Sequence, residues 1–227
     1  LDKDDEWWIA DNDLKNFDRT YYYDREIIFL VKWNLNNNKW VEYYQKKYPY
    51  IESRHINCIY KLKEFLYIGT DYGLLTLDLI TNKWDLYNSE DGFYDEDIQR
   101  IVHYNDILYL ATSKGMILFS HIINQTISTN YKFLLNYQIN DILAFQDILY
   151  IASDRGFYTL NLNNEKYNLI SNRELYELEL YENNLFASTE NQIFKLEKNQ
   201  IKPVFDINYI ENFRVFGDYI WVNNRNV

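Results

Sequence analysis

One spacing recurs five times along the chain, and few folds tolerate it. The segments FLYIGTDYGLLTLD from Phe65, ILYLATSKGMILFS from Ile107, ILYIASDRGFYTLN from Ile148, NLFASTENQIFKLE from Asn184 and YIWVNNRNV from Tyr219 share a pattern. WWIADNDL from Trp7 fits the same frame. With Leu66, Leu108, Leu149, Leu185 and Ile220 as anchors, the period runs from about 35 to 42 residues. Ten residues before the anchors stand Ile56, Ile98, Ile139, Leu175 and Ile210, and seven after them stand Gly73, Gly115, Gly156, Gln192 and Val227. Chance similarity drifts, whereas a spacing held this long marks one supersecondary unit repeated.

Each unit reads as four strands: A (INCIYKL), a tight turn, B (FLYIGT), a glycine turn, C (GLLTLDL) and D (KWDLY). The A–B pairs Lys63-Glu64, Asn105-Asp106, Gln146-Asp147, Glu182-Asn183 and Gly217-Asp218 suit a two-residue hairpin. Gly73, Gly115 and Gly156 open strand C, where positive φ is expected. Strand B is apolar on both faces around a small residue (Gly69, Ala111, Ala152, Ser188), as in a strand buried on both sides. A β-sandwich would show alternation and no long period. The expected fold is therefore all-β, a β-propeller of four-stranded antiparallel blades. About five and a half blades are expected here, part of a propeller of six to eight.

The spacing places complete blades at 56–87, 98–128, 139–170 and 175–205, within one domain spanning 1–227. A partial blade at 1–44 lacks strand A, and another at 210–227 stops after strand B. The chain is expected to be a fragment of a longer protein, closed by missing sequence or by a partner subunit, because an open stack exposes apolar faces and strand edges.

Composition excludes some partners. The net charge is −11 over 227 residues, which disfavours phosphate backbones and anionic membranes. No apolar run approaches the length of a membrane span, and LDKDDEWWIA is too acidic for a signal peptide. Cys58 is the single cysteine, so no internal disulfide forms and the redox compartment stays open.

The segment SEDGFYDEDIQRIVHYNDILYLATSKGMILF, from Ser89 to Phe119, carries a family resemblance. Its Asp91-Gly92-Phe93 entry, the Ile98 and Ile101 pair, the L-Y-L-A-T-x-x-G strand and the strand-D Trp84 and Trp40 resemble the two-component regulator propeller repeat. The A–B turn is shorter than that family's, and Gln192 replaces a glycine. The resemblance implies a periplasmic or extracellular ligand- or partner-sensing region, and it carries no catalytic residue.

Candidate chemistry divides into two sets. The third residue of each strand A reads Cys58, Arg100, Asp141, Glu177, Asn212. Strand A is innermost in a propeller, so this column forms either a polar binding ring or an internal network of paired charges. The B–C turns carry Asp71, Tyr72, Lys114, Asp154, Arg155, Glu190 and Arg225, on the rim shared with the D–A loops. A third feature is an insertion in the first unit, KNFDRTYYYDR, whose Tyr21, Tyr22, Tyr23 and Arg25 suit a partner-binding surface or a lid over the rim.

Other motifs fall short of a site. The acidic run Glu90–Asp97 lacks the order of a calcium loop, and its Asp-Gly-Phe portion belongs to the repeat. His55, His103 and His121 lie on different elements without metal-ligand spacing, so no metal and no cofactor are expected. Asp71 and Asp154 as a glycosidase pair would sit on non-adjacent blades. Asn124-Gln125-Thr126 is a sequon in an Asn-rich chain. The functional expectation is a non-enzymatic propeller that binds a protein, small-molecule or glycan ligand as a sensing region. The alternatives are a scaffold subunit of a surface or secretion assembly, and a propeller lyase or glycosidase.

Overall fold

The structure, a computed structural model, describes residues 6–10, 28–34, 36–44, 55–127 and 134–224. The regular elements in them are strands, with a 3-10 turn at Ser89–Asp91 and 3-10 backbone at Leu134. No helix among the described residues is long and apolar enough to cross a membrane. The chain divides into two compact units, Leu1–Ile98 and Gln99–Val227.

The first unit holds two antiparallel sheets. Strands β1 (Glu6–Ala10), β2 (Ile28–Asn34) and β3 (Lys39–Tyr44) form a three-stranded meander. Strands β4 (Ile56–Leu62), β5 (Phe65–Thr70), β6 (Gly73–Asp78) and β7 (Trp84–Tyr87) form a four-stranded one. Their faces share a core of Leu30, Tyr43, Ile56, Leu66, Ile68, Leu75 and Leu77, with the Tyr43 and Trp84 rings edge to face at 5.8 Å. A Cβ on Gly69 would lie 2.5 Å from Cys58 Sγ, which accounts for the small residue inside strand B. The acidic run is held by two neighbouring main-chain donors and one side-chain amide. Asp91 accepts from the Asn88 N–H at 3.0 Å, Glu96 from Ser89 at 2.9 Å, and Asp97 from the Asn57 amide at 3.0 Å.

The second unit repeats the meander. Its first sheet runs β8 (Ile98–Tyr104), β9 (Ile107–Thr112), β10 (Gly115–Ser120), β11 (Gln125–Ile127). The next is β12 (Ile139–Phe145), β13 (Ile148–Ser153), β14 (Gly156–Asn161), β15 (Tyr167–Ser171), followed by β16 (Glu177–Tyr181), β17 (Asn184–Ser188), β18 (Gln192–Glu197), β19 (Gln200–Asp206). A hairpin of β20 (Ile210–Phe216) and β21 (Tyr219–Asn224) completes the described residues. First strands adjoin one another, β12 beside β16 and β16 beside β20.

Burial follows strand position. The second and third strands are almost wholly buried (β9, β10, β13, β14), whereas β15 and β19 are largely exposed. Apolar clusters lie between consecutive sheets: Tyr109, Met116 and Leu118 with Ile142, Leu149 and Ile151, then Ala152 and Phe157 with Leu178 and Leu185. Buried apolar area of this kind is the main favourable term in folding. The first residue of each A–B turn has positive φ: Lys63 53°, Asn105 53°, Gln146 49°, Glu182 45° and Gly217 60°. Asp78 and Asn161 close the C–D turns as side-chain acceptors for the next N–H groups, at 2.8 to 3.1 Å.

Candidate functional site

The inner column of the second unit is a set of clips between blades. Arg100, the third residue of β8, donates from Nε to Asp141 Oδ1 at 3.1 Å. Asp141 holds the same place on β12 and is 5% exposed. Its Oδ1 also accepts from the Ile142 N–H at 2.9 Å, and its Oδ2 accepts from the Leu178 N–H of the next blade at 2.8 Å. Glu177, third residue of the next inner strand by the repeat frame, accepts from the Phe213 N–H one blade on, at 2.9 Å, and pairs with Arg214. Arg214 also lies 3.7 Å from Glu179. Asn140 adds a second clip, donating to the Leu175 carbonyl at 2.8 Å.

Electrostatics follow from burial. Loss of water pushes the Asp141 carboxyl up to about 6, with the Glu177 charge adding to the rise and Arg100 and the two N–H donors opposing it. Burial also raises Glu179, against the pull of Arg214. The Glu177 hydrogen bond raises the Arg214 guanidinium further above its ordinary value. The structure thus joins Arg100 to Asp141 and places Glu177 against Arg214. Asn212 is exposed on β20. Cys58 lies in the first unit.

The rim is built on fixed backbone. At the end of strand B the Thr70, Thr112 and Ser153 hydroxyls each donate to the carbonyl of the glycine three residues on, at 2.8 to 2.9 Å. Each also accepts from the N–H two residues on, at 3.0 to 3.3 Å. The B–C turns then pair with D–A loops: Gly73 N–H to Glu96 at 2.8 Å, Asn136 to Lys114 at 2.8 Å, Asp154 to Gln138 at 3.0 Å, and Ile210 to Glu190 at 2.7 Å. Thr112 is fully buried. Thr112→Val is expected to destabilise the chain by about 1–3 kcal/mol, because a buried donor and acceptor lose their partners. Urea unfolding measures this, and Thr112→Ser should recover most of the loss, since Ser153 makes the same two bonds.

Side chains project from this base. Asp71, Tyr72, Lys114, Asp154 and Arg155 are all exposed. Arg155 lies over the Tyr137 ring at 4.9 Å and 3.9 Å from Asp154, whose other oxygen accepts from the Gln138 N–H at 3.1 Å. Asp154, Arg155 and Tyr137 therefore form one local cluster in the second unit, and Asp71 and Tyr72 belong to the first. Tyr21, Tyr22, Tyr23, Arg25 and Arg225 lie outside the described residues.

Sequence reasoning missed a recess on the same rim. Asn191, Gln192, Asp206, Ile207 and Asn208 line a cleft of about 380 Å³ between a B–C turn and the following D–A loop. Gln192 donates to Asp206, and Arg173 donates to Gln192 at 3.5 Å. Its signal was in the sequence, for Gln192 is the position where the repeat's glycine is replaced. The meander also brings the His103 and His121 rings to 5.3 Å, edge to face. Among the described residues no three His, Cys, Asp or Glu side chains group as a metal site requires.

The sequence matches no family model and no curated protein. Its fold is similar to the extracellular domain of a hybrid two-component system of B. thetaiotaomicron, with TM-score 0.66 and 19% identity over 86% of this chain and 29% of that one. A second such domain from the same organism gives 0.67 and 15%, over 85% and 28%. PorZ, a surface component of the type-IX secretion system of Porphyromonas gingivalis, gives 0.57 and 13%, over 85% and 28%. The chain is a β-propeller fold. At these identities the likeness is one of fold, and the chain spans under a third of each of these structures.

Proposed function

We propose that this chain is a recognition module, the ligand- or protein-binding part of an exported or membrane-anchored sensor of the two-component regulator propeller type. The rim recess carries the reading. Three amides and one carboxylate line it, groups that bind hydroxyl and amide ligands by directed hydrogen bonds. They stand on loops whose backbone is already hydrogen-bonded to the neighbouring loop, Ile207 N–H to Asn191 at 3.0 Å and Ile210 N–H to Glu190 at 2.7 Å. A site fixed before the ligand arrives loses little freedom on binding. The inner carboxylates Asp141 and Glu177 support binding over catalysis, because Asp141 is committed to two main-chain donors and an arginine and Glu177 to one main-chain donor and an arginine.

The likeness to extracellular domains of two-component systems supports placing the module outside the cytoplasm. Arrays of oligosaccharides and of peptides, probed with the 227-residue chain, test the reading. A bound class is expected whose affinity falls about tenfold or more in Asn208→Ala and Asp206→Ala. Binding that ignores both substitutions, or substrate turnover in place of binding, would sink it.

A further inference from the structure

The hairpin β20–β21 has one covered face and one bare one. Phe213 and Val215 cluster with Ile193 of the preceding blade, and Ile220 and Val222 pack against them. On the other face the register sets Phe216 opposite Tyr219 and Arg214 opposite Trp221. Phe216 is 75% exposed, Tyr219 68% and Trp221 64%. Trp221 follows its anchor by one residue, the place held by Tyr109, Tyr150 and Phe186 in the three preceding blades.

Those three aromatics show what belongs on the bare face. Tyr109 lies in one cluster with Ile142, Leu149 and Ile151 of the next blade. Tyr150 packs on the cluster of Leu178, Leu185 and Ala187, and Phe186 on the cluster that holds Phe213, Ile220 and Val222. Each set is an apolar residue i, then i+7 and i+9 across a two-residue turn. Main-chain clips accompany the packing. Asp141 takes the N–H of Leu178, and Glu177 takes the N–H of Phe213, the first residue of each triad. Asn212 is the third residue of its inner strand, as Asp141 is of β12, and its side chain carries an amide oxygen in that place.

We propose that the outward face of β20–β21 (Asn212, Phe216, Tyr219 and Trp221) docks one further blade of this same repeat type. The occupant is recognised by its i, i+7, i+9 apolar triad against Trp221 and Tyr219, and by the N–H of the first triad residue bonded to Asn212. Among the described residues, these triads are not open to a second copy of this chain. The triad residues Leu66, Ile68, Leu108, Leu110, Leu149, Ile151, Leu178 and Phe213 are already buried here. Burying three large aromatics at the centre of such an interface is a strong driving force for association.

The test appends a copy of residues 157–206 after Val227, which supplies two outer strands for the hairpin and then one blade bearing the Leu178, Leu185, Ala187 triad. Trp221 is read as the fluorescence difference between each protein and its Trp221→Phe form. The expected result is a shift of Trp221 emission to shorter wavelength, with loss of acrylamide quenching. Leu178→Asp and Leu185→Asp in the appended copy should reverse both changes. Asn212→Ala should speed exchange of the appended Leu178 amide by about tenfold. Trp221 as quenchable in the extended protein as in the parent overturns the proposal, whether or not the appended segment folds. So does a shift that survives the triad substitutions, or one that grows with the concentration of the parent chain, which would make a second copy the occupant.

Discussion

Gly73→Ala is expected to cost about 3–5 kcal/mol, enough to leave the first unit unfolded or nearly so under ordinary conditions. Gly73 has φ of 119°, a conformation that an L side chain rarely adopts, and an added Cβ would lie 2.3 Å from the Tyr87 carbonyl oxygen. That oxygen belongs to the paired fourth strand, so it cannot swing aside as a flexible side chain would. The same N–H that Gly73 gives to Glu96 ties the B–C turn to the D–A loop, so a shift here loosens the rim too. Gly217→Ala is the matched control. Its φ of 60° lies where Lys63 and Asn105 already sit in equivalent turns, and nothing lies within 4 Å of its added Cβ. Thermal unfolding should show a loss of about 1 kcal/mol or less for Gly217→Ala. Equal losses for the two variants would show that the close approach at Tyr87 is not what demands glycine.

Asp141 gives the second large effect, and one with a pH signature. Its carboxyl titrates at about 6 in the folded chain against an ordinary 3.8, so the folded state holds a proton that the unfolded state has released. Stability from this group therefore rises as pH falls from about 6 to about 4. Above pH 6 the ionised carboxylate is disfavoured in the folded chain by about 3 kcal/mol, the net of burial and the Glu177 charge against Arg100 and the two N–H donors. Asp141→Asn should flatten the dependence between pH 4 and 7 relative to the parent chain. Glu179, raised in the same direction, stays in both proteins and cancels in the difference. Asp141→Ala should cost about 3–5 kcal/mol at neutral pH, because Arg100 and the N–H groups of Ile142 and Leu178 all lose their acceptor. Guanidinium unfolding at pH 5 and pH 7 measures both variants. Parallel pH profiles for the parent and Asp141→Asn would refute the linkage.

The two predictions rest on features that the sequence reveals unequally. Gly73, Gly115 and Gly156 stand in one column, and their positive φ follows from the tight turn that the column implies. The hydroxyls of Thr70, Thr112 and Ser153 form a column as plain, three residues before the glycines. Asp141 and Glu177 were also visible as a column of mixed charge, yet their main partners were not. Those partners are the main-chain N–H groups of Leu178 and Phe213, and a main-chain donor has no letter in a sequence. Arg214 escaped notice for a related reason. It stands two places beyond the column, and only the adjacency of β16 and β20 brings it to Glu177. His103 and His121 lie eighteen residues apart and meet through strand pairing alone. Gln192 was legible as a departure from the repeat, but the recess beside it depends on where the following loop crosses.

The clips at Asp141 and Glu177 bear on how such chains change over generations. Each joins a side chain to a peptide group, so the acceptor is served by any amino acid but proline at that place in its neighbour. A duplicated or recombined repeat that keeps the strand spacing would offer its peptide N–H at once, with no matching substitution in the neighbour. Gene segments of this length can then be copied, lost or exchanged while the inner wall stays hydrogen-bonded, and blade number becomes free to drift among descendants.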